Sequence, residues 1–236
     1  MKKKIICIIT ARKNSKGIKN KNLKKINNKE LIFYPIKAAK KSKLIDEVVV
    51  TTDSKKIANI SKNYGANVPF LRPRKFSTDS AKSFDAINHC LNFFFKKKKF
   101  YDYFVLLEPT SPFTSTKDID KGINKLIKNH KIADSLVTVT KVEQSHPNFL
   151  SRIKKNNLIT PYQTKNFNFK RRQDLSRLYY FDGSLYISDV KTYLKKETFN
   201  HKKTLAMELP KYKSMEIDDL TDLKLASLIL SKNGFK

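Results

Sequence analysis

Four short stretches carry the residues able to do chemistry. The first runs from Thr10 to Asn22. It follows the apolar run Ile5-Ile6-Cys7-Ile8-Ile9 and holds Arg12, Lys13, Lys16, Lys19 and Lys21 with one glycine, Gly17, and no acid. Small residues let backbone N–H groups approach phosphate oxygens, and the cations neutralise them, so the loop suits a polyanion. A solvated basic loop is the alternative on charge alone. The G-x-x-x-x-G-K-[ST] spacing of a Walker loop is absent. The second stretch is Leu71-Arg72-Pro73 with Ser77, Asp79 and Ser83. Arg72 offers a planar fork to a carboxylate or phosphate. The third is Glu108-Pro109-Thr110-Ser111-Pro112, a stiff loop in which two prolines flank two hydroxyls. The fourth is Glu216-Ile217-Asp218. Its two carboxylates at i and i+2 point the same way in an extended segment and could share one Mg²⁺ with substrate phosphates.

These stretches need elements that bring them together. Ile5 to Ile9 reads as a strand buried on both faces, so the basic loop leaves its carboxyl end, where open α/β sheets place ligands. Leu31 to Ser42 has helical spacing, and Glu47 to Thr52 is a second buried strand. Asp53 caps a helix from Ser54 to Tyr64 that Gly65 ends. Ser77 or Asp79 caps the helix holding Phe84, Ile87, Cys90, Leu91 and Phe94, and Lys96 to Lys99 is its solvated end. Tyr103 to Glu108 is a third buried strand; Ser115 or Thr116 caps a helix to about His130; Ser135 to Thr140 alternates as a strand. From about Val142 to Tyr180 the pattern breaks into a polar, aromatic excursion. Ser184 to Ile187 and Thr204 to Leu209 return to strand, and Thr221 to Lys232 closes the chain as a helix stopped by Gly234. The alternation predicts an α/β fold, a mostly parallel doubly wound sheet in one domain with one insertion.

Composition narrows the classes. The 236 residues are 39% apolar, enough for a sizeable core. The net charge is +29, carried by 43 Lys against 7 Arg spread over the whole length. Sequence-specific nucleic-acid readers rely on Arg for bidentate base contacts. An AT-rich genome, which also favours Asn and Ile, explains the lysines better than a nucleic-acid partner does, and the charge also draws in anionic substrates. The apolar run after Lys2-Lys3-Lys4 ends at Ile9, too short for a signal peptide, and no run reaches ~18 residues, so the expected setting is cytoplasmic with no membrane span. Two cysteines and four histidines without ligand spacing give no disulfide framework or zinc site. His89 reads as packed in its helix.

Taken together, these stretches resemble the CMP-sialic acid synthetase (acylneuraminate cytidylyltransferase) family over nearly the whole chain. Arg12-Lys13-Asn14-Ser15-Lys16-Gly17-Ile18 through Lys21-Asn22 looks like that family's opening A-R-x-x-S-K-G-x-x-x-K-N signature. Thr51-Thr52-Asp53 with Ile57-Ala58, Tyr64-Gly65-Ala66, Leu71-Arg72-Pro73, Asp79-Ser80-Ala81 and Leu107 to Pro112 follow in the family order. So do Arg172-Gln173-Asp174-Leu175, Asp182-Gly183-Ser184-Leu185-Tyr186-Ile187 and, where the family has D-I-D, Glu216-Ile217-Asp218.

The resemblance implies a Rossmann-like nucleotidyltransferase sheet, CTP and an acidic 2-keto sugar as substrates, Mg²⁺ as cofactor, and CMP transfer to the sugar's anomeric hydroxyl. Ala11, Arg12, Ser15, Lys16, Gly17, Lys21, Asn22, Arg72 and Ser83 would bind the nucleotide. Glu108, Thr110, Ser111, Arg172, Gln173, Tyr180 and Asp182 would face the sugar. Glu216 and Asp218 would hold the metal, with Arg12, Lys21 and Asp218 catalytic. The insertion, about 142–180, would exchange with a second subunit of a homodimer. This chain departs from the family pattern at Glu108 (usually Gln), Ser176 (Pro), Asp182 (Asn) and Glu216 (Asp), and Tyr180 stands where some sialic acid enzymes carry Arg. Most departures lie on the sugar side, so the acceptor need not be sialic acid; legionaminic and pseudaminic acids are the relatives to expect. A nucleotidyltransferase of the same architecture with another base or sugar is the alternative, and a basic nucleic-acid-binding protein a distant one, distinguished by steeply salt-dependent DNA or RNA binding.

Overall fold

The computed structural model describes residues 2–15, 17–143, 145–162 and 171–233, with only the backbone at Arg172, Lys232 and Asn233. The first strand, β1 (Ile5–Thr10), has its apolar side chains all buried because helices cover both faces of the sheet. Beyond the opening loop, the short hairpin β2 (Lys25–Ile26) and β3 (Lys29–Glu30) leads into α1 (Phe33–Lys41). β4 (Glu47–Thr51), α2 (Lys55–Asn63), α3 (Ser83–Lys96), β5 (Tyr103–Leu107), α4 (Thr116–Lys128) and β6 (Ser135–Lys141) follow in alternation. Among its described residues the excursion holds the small hairpin β7 (Ser151–Ile153) and β8 (Ile159–Pro161) and short helical turns at Pro147–Phe149 and Arg172–Asp174. The chain returns through β9 (Tyr179–Asp189), α5 (Val190–Lys196) and β10 (Thr204–Glu208), and closes with α6 (Leu220–Asn233).

The main sheet has the order β10-β6-β9-β5-β1-β4. β1 pairs in parallel with β4 and β5, and β10 with β6. β9 runs antiparallel between β5 and β6. The sheet is therefore mostly parallel and doubly wound, as the alternation implies. α1, α2 and α4 cover one face and α3 and α5 the other. α6 packs over Ile18, Ile26 and Leu31 beside β2, fastening the opening loop to the far end of the chain. Among the described residues no helix is long and apolar enough to cross a membrane.

Several boundaries differ from the sequence reading. α3 begins at Ser83, not after Ser77 or Asp79; its first turn is closed by Lys82 N–H donating to the Asp85 carboxylate (3.3 Å). That leaves 77–82 free to line a cavity. β9 starts at Tyr179, five residues earlier than its apolar core shows, because pairing with β6 as far as Lys141 extends it. Gly234 lies outside the described residues. The insertion is closed at its neck by Val142 N–H donating to the Leu178 carbonyl (2.8 Å).

Cys7 and Cys90 are fully buried, and burial pushes both thiols far above their ordinary range. Neither should react with a thiol reagent at pH 8 in the folded protein, and both should react in urea; a mass measurement after alkylation checks this. His89 is packed as expected, its ring edge-on to Phe70 at 4.6 Å.

Candidate active site

A cavity of about 420 Å³ opens at the carboxyl ends of β1 and β5, where their parallel arrangement leaves a crevice. The opening loop forms one wall through Arg12, Ser15, Gly17, Lys21 and Asn22. The loop holds its shape through local bonds. Ala11 N–H donates to the Thr51 carbonyl (3.1 Å), Lys13 N–H to the Asp53 carboxylate (2.7 Å), and the Asn22 amide to the Arg12 carbonyl (2.9 Å). Asn20 turns the chain in the left-handed region at φ 56°, and Lys21 N–H then donates to the Ile18 carbonyl (3.1 Å). Ile18 is buried against Ile217, so the basic loop and the Glu216-Ile217-Asp218 segment share one small apolar cluster.

Gly17 makes this contact possible. A Cβ there would fall 2.2 Å from the Asp218 carbonyl oxygen. Gly17→Ala is therefore expected to lower kcat/KM for the reaction at this cavity by roughly 10²-fold, the effect of displacing a positioning group by about 1 Å; steady-state kinetics would measure it.

The opposite wall comes from the segment before α3. Arg12 forms an ion pair with Asp79, which also lines the cavity. Arg72 is buried, its N–H donating to the Thr52 carbonyl (2.7 Å) and its Nε to Ser77 Oγ (2.9 Å). Burial pulls the Arg72 guanidinium below its ordinary value; Asp53 counteracts this and Arg12 adds to it. Ser83, at the start of α3, completes the wall.

Lys21 bridges to the acidic side, donating from Nζ to Asp218 Oδ1 (2.9 Å) with its side chain only 13% exposed. Glu108 and Thr110 line the cavity beside it, and the Thr110 carbonyl accepts from Ile217 N–H (2.9 Å). Burial raises the Glu108 carboxyl, Lys21 opposes the rise, and Asp218 adds to it. Glu216 is pushed up to about 7 by burial first, then by Glu108 and Asp218. Its carboxylate lies where only a glycine leaves room: a Cβ on Gly183, at φ +72°, would meet Glu216 Oε1 at 1.6 Å. Ile217, between the two acids, is buried, so both carboxylates face away from the core.

This crowding of oxygens fits a hard divalent cation. Among the described residues no group of three or more candidate ligands could hold a metal alone. A cation here would need substrate oxygens to complete its shell, the usual habit of Mg²⁺.

A second cavity of about 270 Å³ adjoins the first and shares Lys82, Ser83 and Glu108 with it. Its walls are aromatic: Phe84, Tyr186, Tyr193 and Phe199, with Asn200. The sequence reading placed Phe84 in a helix and Tyr186 in a family motif and assigned nothing to Tyr193, Phe199 or Asn200, which no local signal marks. Lys82 and Asp79 were likewise not singled out as binding residues, although Asp79 lies in a quoted motif.

The remaining expected residues fall elsewhere. Ala11 is buried behind the loop. Lys16 lies outside the described residues. Ser111 and Asp182, expected at the sugar, are buried in the frame. Ser111 Oγ donates to the Gly183 carbonyl (3.5 Å). Asp182 accepts from Thr138 Oγ1 (2.5 Å), Thr140 Oγ1 (2.9 Å) and Ser184 N–H (3.0 Å). These bonds fill the register shift between β6 and β9, so Asp182 has no free edge for a ligand. Tyr180 is exposed on β9 and its hydroxyl meets Ser214 Oγ (2.9 Å). Gln173 lines a separate cleft in the insertion with His146 and Ser176, and touches neither cavity. Arg172 belongs to the same short helical turn, and its side chain is outside the description.

Comparison with known proteins agrees with this geometry. A family model described as "Cytidylyltransferase" matches residues 6–233. The N-acylneuraminate cytidylyltransferase of Escherichia coli is 34% identical over 234 residues, 99% of this chain but 54% of that protein, so the chain spans about half its length. The CMP-N,N'-diacetyllegionaminic acid synthase of Legionella pneumophila is 30% identical over 235 residues, covering 98% of this chain and 97% of that one. A solved CMP:2-keto-3-deoxy-manno-octonic acid synthetase complexed with CTP has the same fold, with a TM-score of 0.69 at 14% identity over 97% of this chain and 99% of that one. On the match across residues 6–233, the chain belongs to the cytidylyltransferase family.

Proposed function

We propose that this chain transfers CMP from CTP to the anomeric hydroxyl of an acidic 2-keto sugar, sialic acid or a relative such as legionaminic or pseudaminic acid, and releases pyrophosphate. The observation that carries the reading is the pair of adjoining cavities, one basic and one aromatic, meeting at Lys82, Ser83 and Glu108. CTP takes the first, its phosphates among Arg12, Lys21 and Arg72. The sugar takes the second, its ring and acyl groups against the aromatic walls and its hydroxyls within reach of Asn200. The two substrates then meet at the shared wall.

The protein's part in the reaction is positioning and charge neutralisation. The anomeric hydroxyl oxygen forms a bond to the α-phosphorus as the bond to the pyrophosphate oxygen breaks, and the hydroxyl proton leaves to solvent. Arg12 and Lys21 hold the phosphates in line and meet the charge that develops on the leaving group. Glu216 and Asp218 would hold Mg²⁺, which supplies Lewis-acid polarisation of phosphate oxygen when bound. The raised Glu216 carboxyl is consistent with this assignment, because a cation would offset the burial that chiefly raises it and the repulsion from Glu108 and Asp218 that adds to it. Asp218→Ala should abolish Mg²⁺-dependent turnover while leaving the thermal transition within a few degrees; a fully active variant would remove the metal assignment.

The domain reading is one catalytic unit, 1–236, with the insertion at about 142–180 serving a homodimer. Its exposed Ile153, Leu158 and Ile159, with exposed Phe181 just beyond it on β9, support a self-contact. In that dimer Gln173, which lines neither cavity of its own chain, and Arg172 reach the partner's sugar. The setting is cytoplasmic. Sedimentation velocity tests the dimer. The main test is pyrophosphate release from CTP with Mg²⁺ across sialic, legionaminic and pseudaminic acids. Release with one acid establishes the reaction and the acceptor. CTP binding without release moves the question to an acceptor outside the panel, and release from another nucleotide in preference to CTP replaces the base. Absence of CTP binding defeats the proposal.

A further inference from the structure

The edge of the sheet opposite the cavities carries a feature that nucleotidyl transfer does not use. Phe95 and Phe100 are 62% and 57% exposed and touch each other edge to face at 5.1 Å. Between them stand Lys96, Lys97, Lys98 and Lys99, all exposed. The turn is fastened, not loose. Lys97 N–H and Lys99 N–H both donate to the Phe94 carbonyl (2.9 and 3.0 Å), and Lys98 N–H to that of Phe95 (2.9 Å). Lys98 takes φ 56°, a left-handed conformation usually left to Gly or Asn at a helix end. Buried Phe94 meets Tyr101 at 5.7 Å, anchoring the turn from within.

More cations gather at the same edge. Asp102 N–H donates to the Lys4 carbonyl (2.8 Å) and the Asp102 carboxylate accepts from Lys4 N–H (2.8 Å), which sets Lys2 to Lys4 beside Phe100. The acids at this end are Asp46, Glu47, Asp102, Asp134 and Asp189, the last accepting from Thr192 N–H (2.8 Å). Asp46 meets Lys2 and Ile5 N–H, Asp102 meets Lys3, and Glu47 accepts from Tyr101 and Asn67 near Lys99. Lys4, Lys96, Lys97 and Lys98 have no ion pair among the described residues. Ile132, 65% exposed just before β6, lies along this edge because β5 and β6 both begin there.

Two touching exposed aromatics bracketing unpaired lysines are poorly suited to a second copy of this chain, whose like charges would face each other. They suit a surface that is apolar beneath and anionic on top. We propose that this edge docks on an anionic lipid bilayer, Phe95 and Phe100 entering the acyl boundary while Lys4 and Lys96 to Lys98 meet lipid phosphates. β1 separates the edge from the cavity by its six residues, about 20 Å, so the active site faces away from the bilayer and stays open to its substrates.

The chain has no tryptophan, so one introduced residue reports cleanly. Phe100→Trp is mixed with phosphatidylcholine vesicles, with and without phosphatidylglycerol and brominated lipid. Leu228→Trp, on the exposed apolar side of α6 (57%), is the control for adsorption by net charge alone. The expected result is a blue shift and bromine quenching for Phe100→Trp on anionic vesicles only, with Leu228→Trp unchanged. The double variant Phe95→Ser, Phe100→Ser, whose charge is unaltered, should partition at least tenfold less while releasing pyrophosphate at the normal rate. Equal responses from the two tryptophans, no response from either, or a blue shift of Phe100→Trp that grows with protein concentration without lipid would overturn the proposal.

Discussion

Lys21→Ala should lower kcat/KM for CTP by roughly 10²–10³-fold, about 2.7–4 kcal/mol of lost transition-state stabilisation. Lys21 serves two charges at once. Its ammonium, 2.9 Å from Asp218, opposes the crowding of Glu108, Glu216 and Asp218, and it lies in the cavity wall where phosphates would stand. Removing it takes a cation from the leaving group and leaves three carboxyls without their local counter-charge. Glu108 and Glu216 are already raised, and Lys21 lowers both. Without it they rise further, so the acid limb of the pH–rate profile should move to higher pH as well as dropping in height. Pyrophosphate release measured from pH 6 to 9 reads both effects. An unchanged kcat/KM would remove Lys21 from the site, and a fall in height without movement of the limb would separate its phosphate role from its role among the acids. The thermal transition should change little, because the ion pair's acid, Asp218, is 74% exposed.

The second large effect is on stability. Lys213 and Asp118 form an ion pair in which both side chains are only 12% exposed. Asp118 also closes the first turn of α4, accepting from Ser115 N–H (2.9 Å) and Ser115 Oγ (2.5 Å). Lys213→Met leaves that carboxylate buried without its cation and should cost about 3–5 kcal/mol. Against a total of about 5–15 kcal/mol for a folded domain, that is a large share. Urea unfolding would measure it as a fall in midpoint. Adding Asp118→Asn removes the stranded charge and keeps an acceptor for the α4 cap, so the double variant should recover much of the loss. Equal stability of Lys213→Met and the parent would show that the pair contributes nothing. A catalytic effect should accompany the loss. The Lys213 carbonyl accepts from Ser184 Oγ (3.0 Å), and the chain then passes through Met215 to Glu216 and Asp218. Loosening Lys213 therefore loosens the carboxylates, and the KM for CTP should rise.

Much of this protein is legible in its sequence, for reasons that are local. Ile5 to Ile9, Val48 to Val50 and Tyr103 to Leu107 are uninterrupted apolar runs, and only strands covered on both faces accommodate them. Parallel strands joined by helices then put the loops after β1 and β5 together, which brings Arg12 and Lys21 to Glu108, whereas the place of Arg72 and Ser83 beside them was implied by the family resemblance. Asp219 and Asp222 close the first turn of the last helix, their carboxylates accepting from Thr221 and Asp222 N–H and from Asp218 and Asp219 N–H.

What the tertiary structure decided depends on contacts between distant parts of the chain. The direction of β9 and its place between β5 and β6 follow from pairing that no local period encodes. Asp182 looked like a ligand because it is a carboxylate in a motif; its partners, Thr138 and Thr140, lie more than 40 residues away and turn it into a lock on the register shift. The aromatic cavity joins Phe84, Tyr186 and Phe199, three separate parts of the chain that no local pattern links. The closeness of Gly17 to Asp218 and of Lys213 to Asp118 has the same origin. A sequence states each residue's chemistry and its neighbours' periodicity, whereas the partner that makes a carboxylate a ligand, a lock or a buried ion is chosen by the packing of the whole sheet.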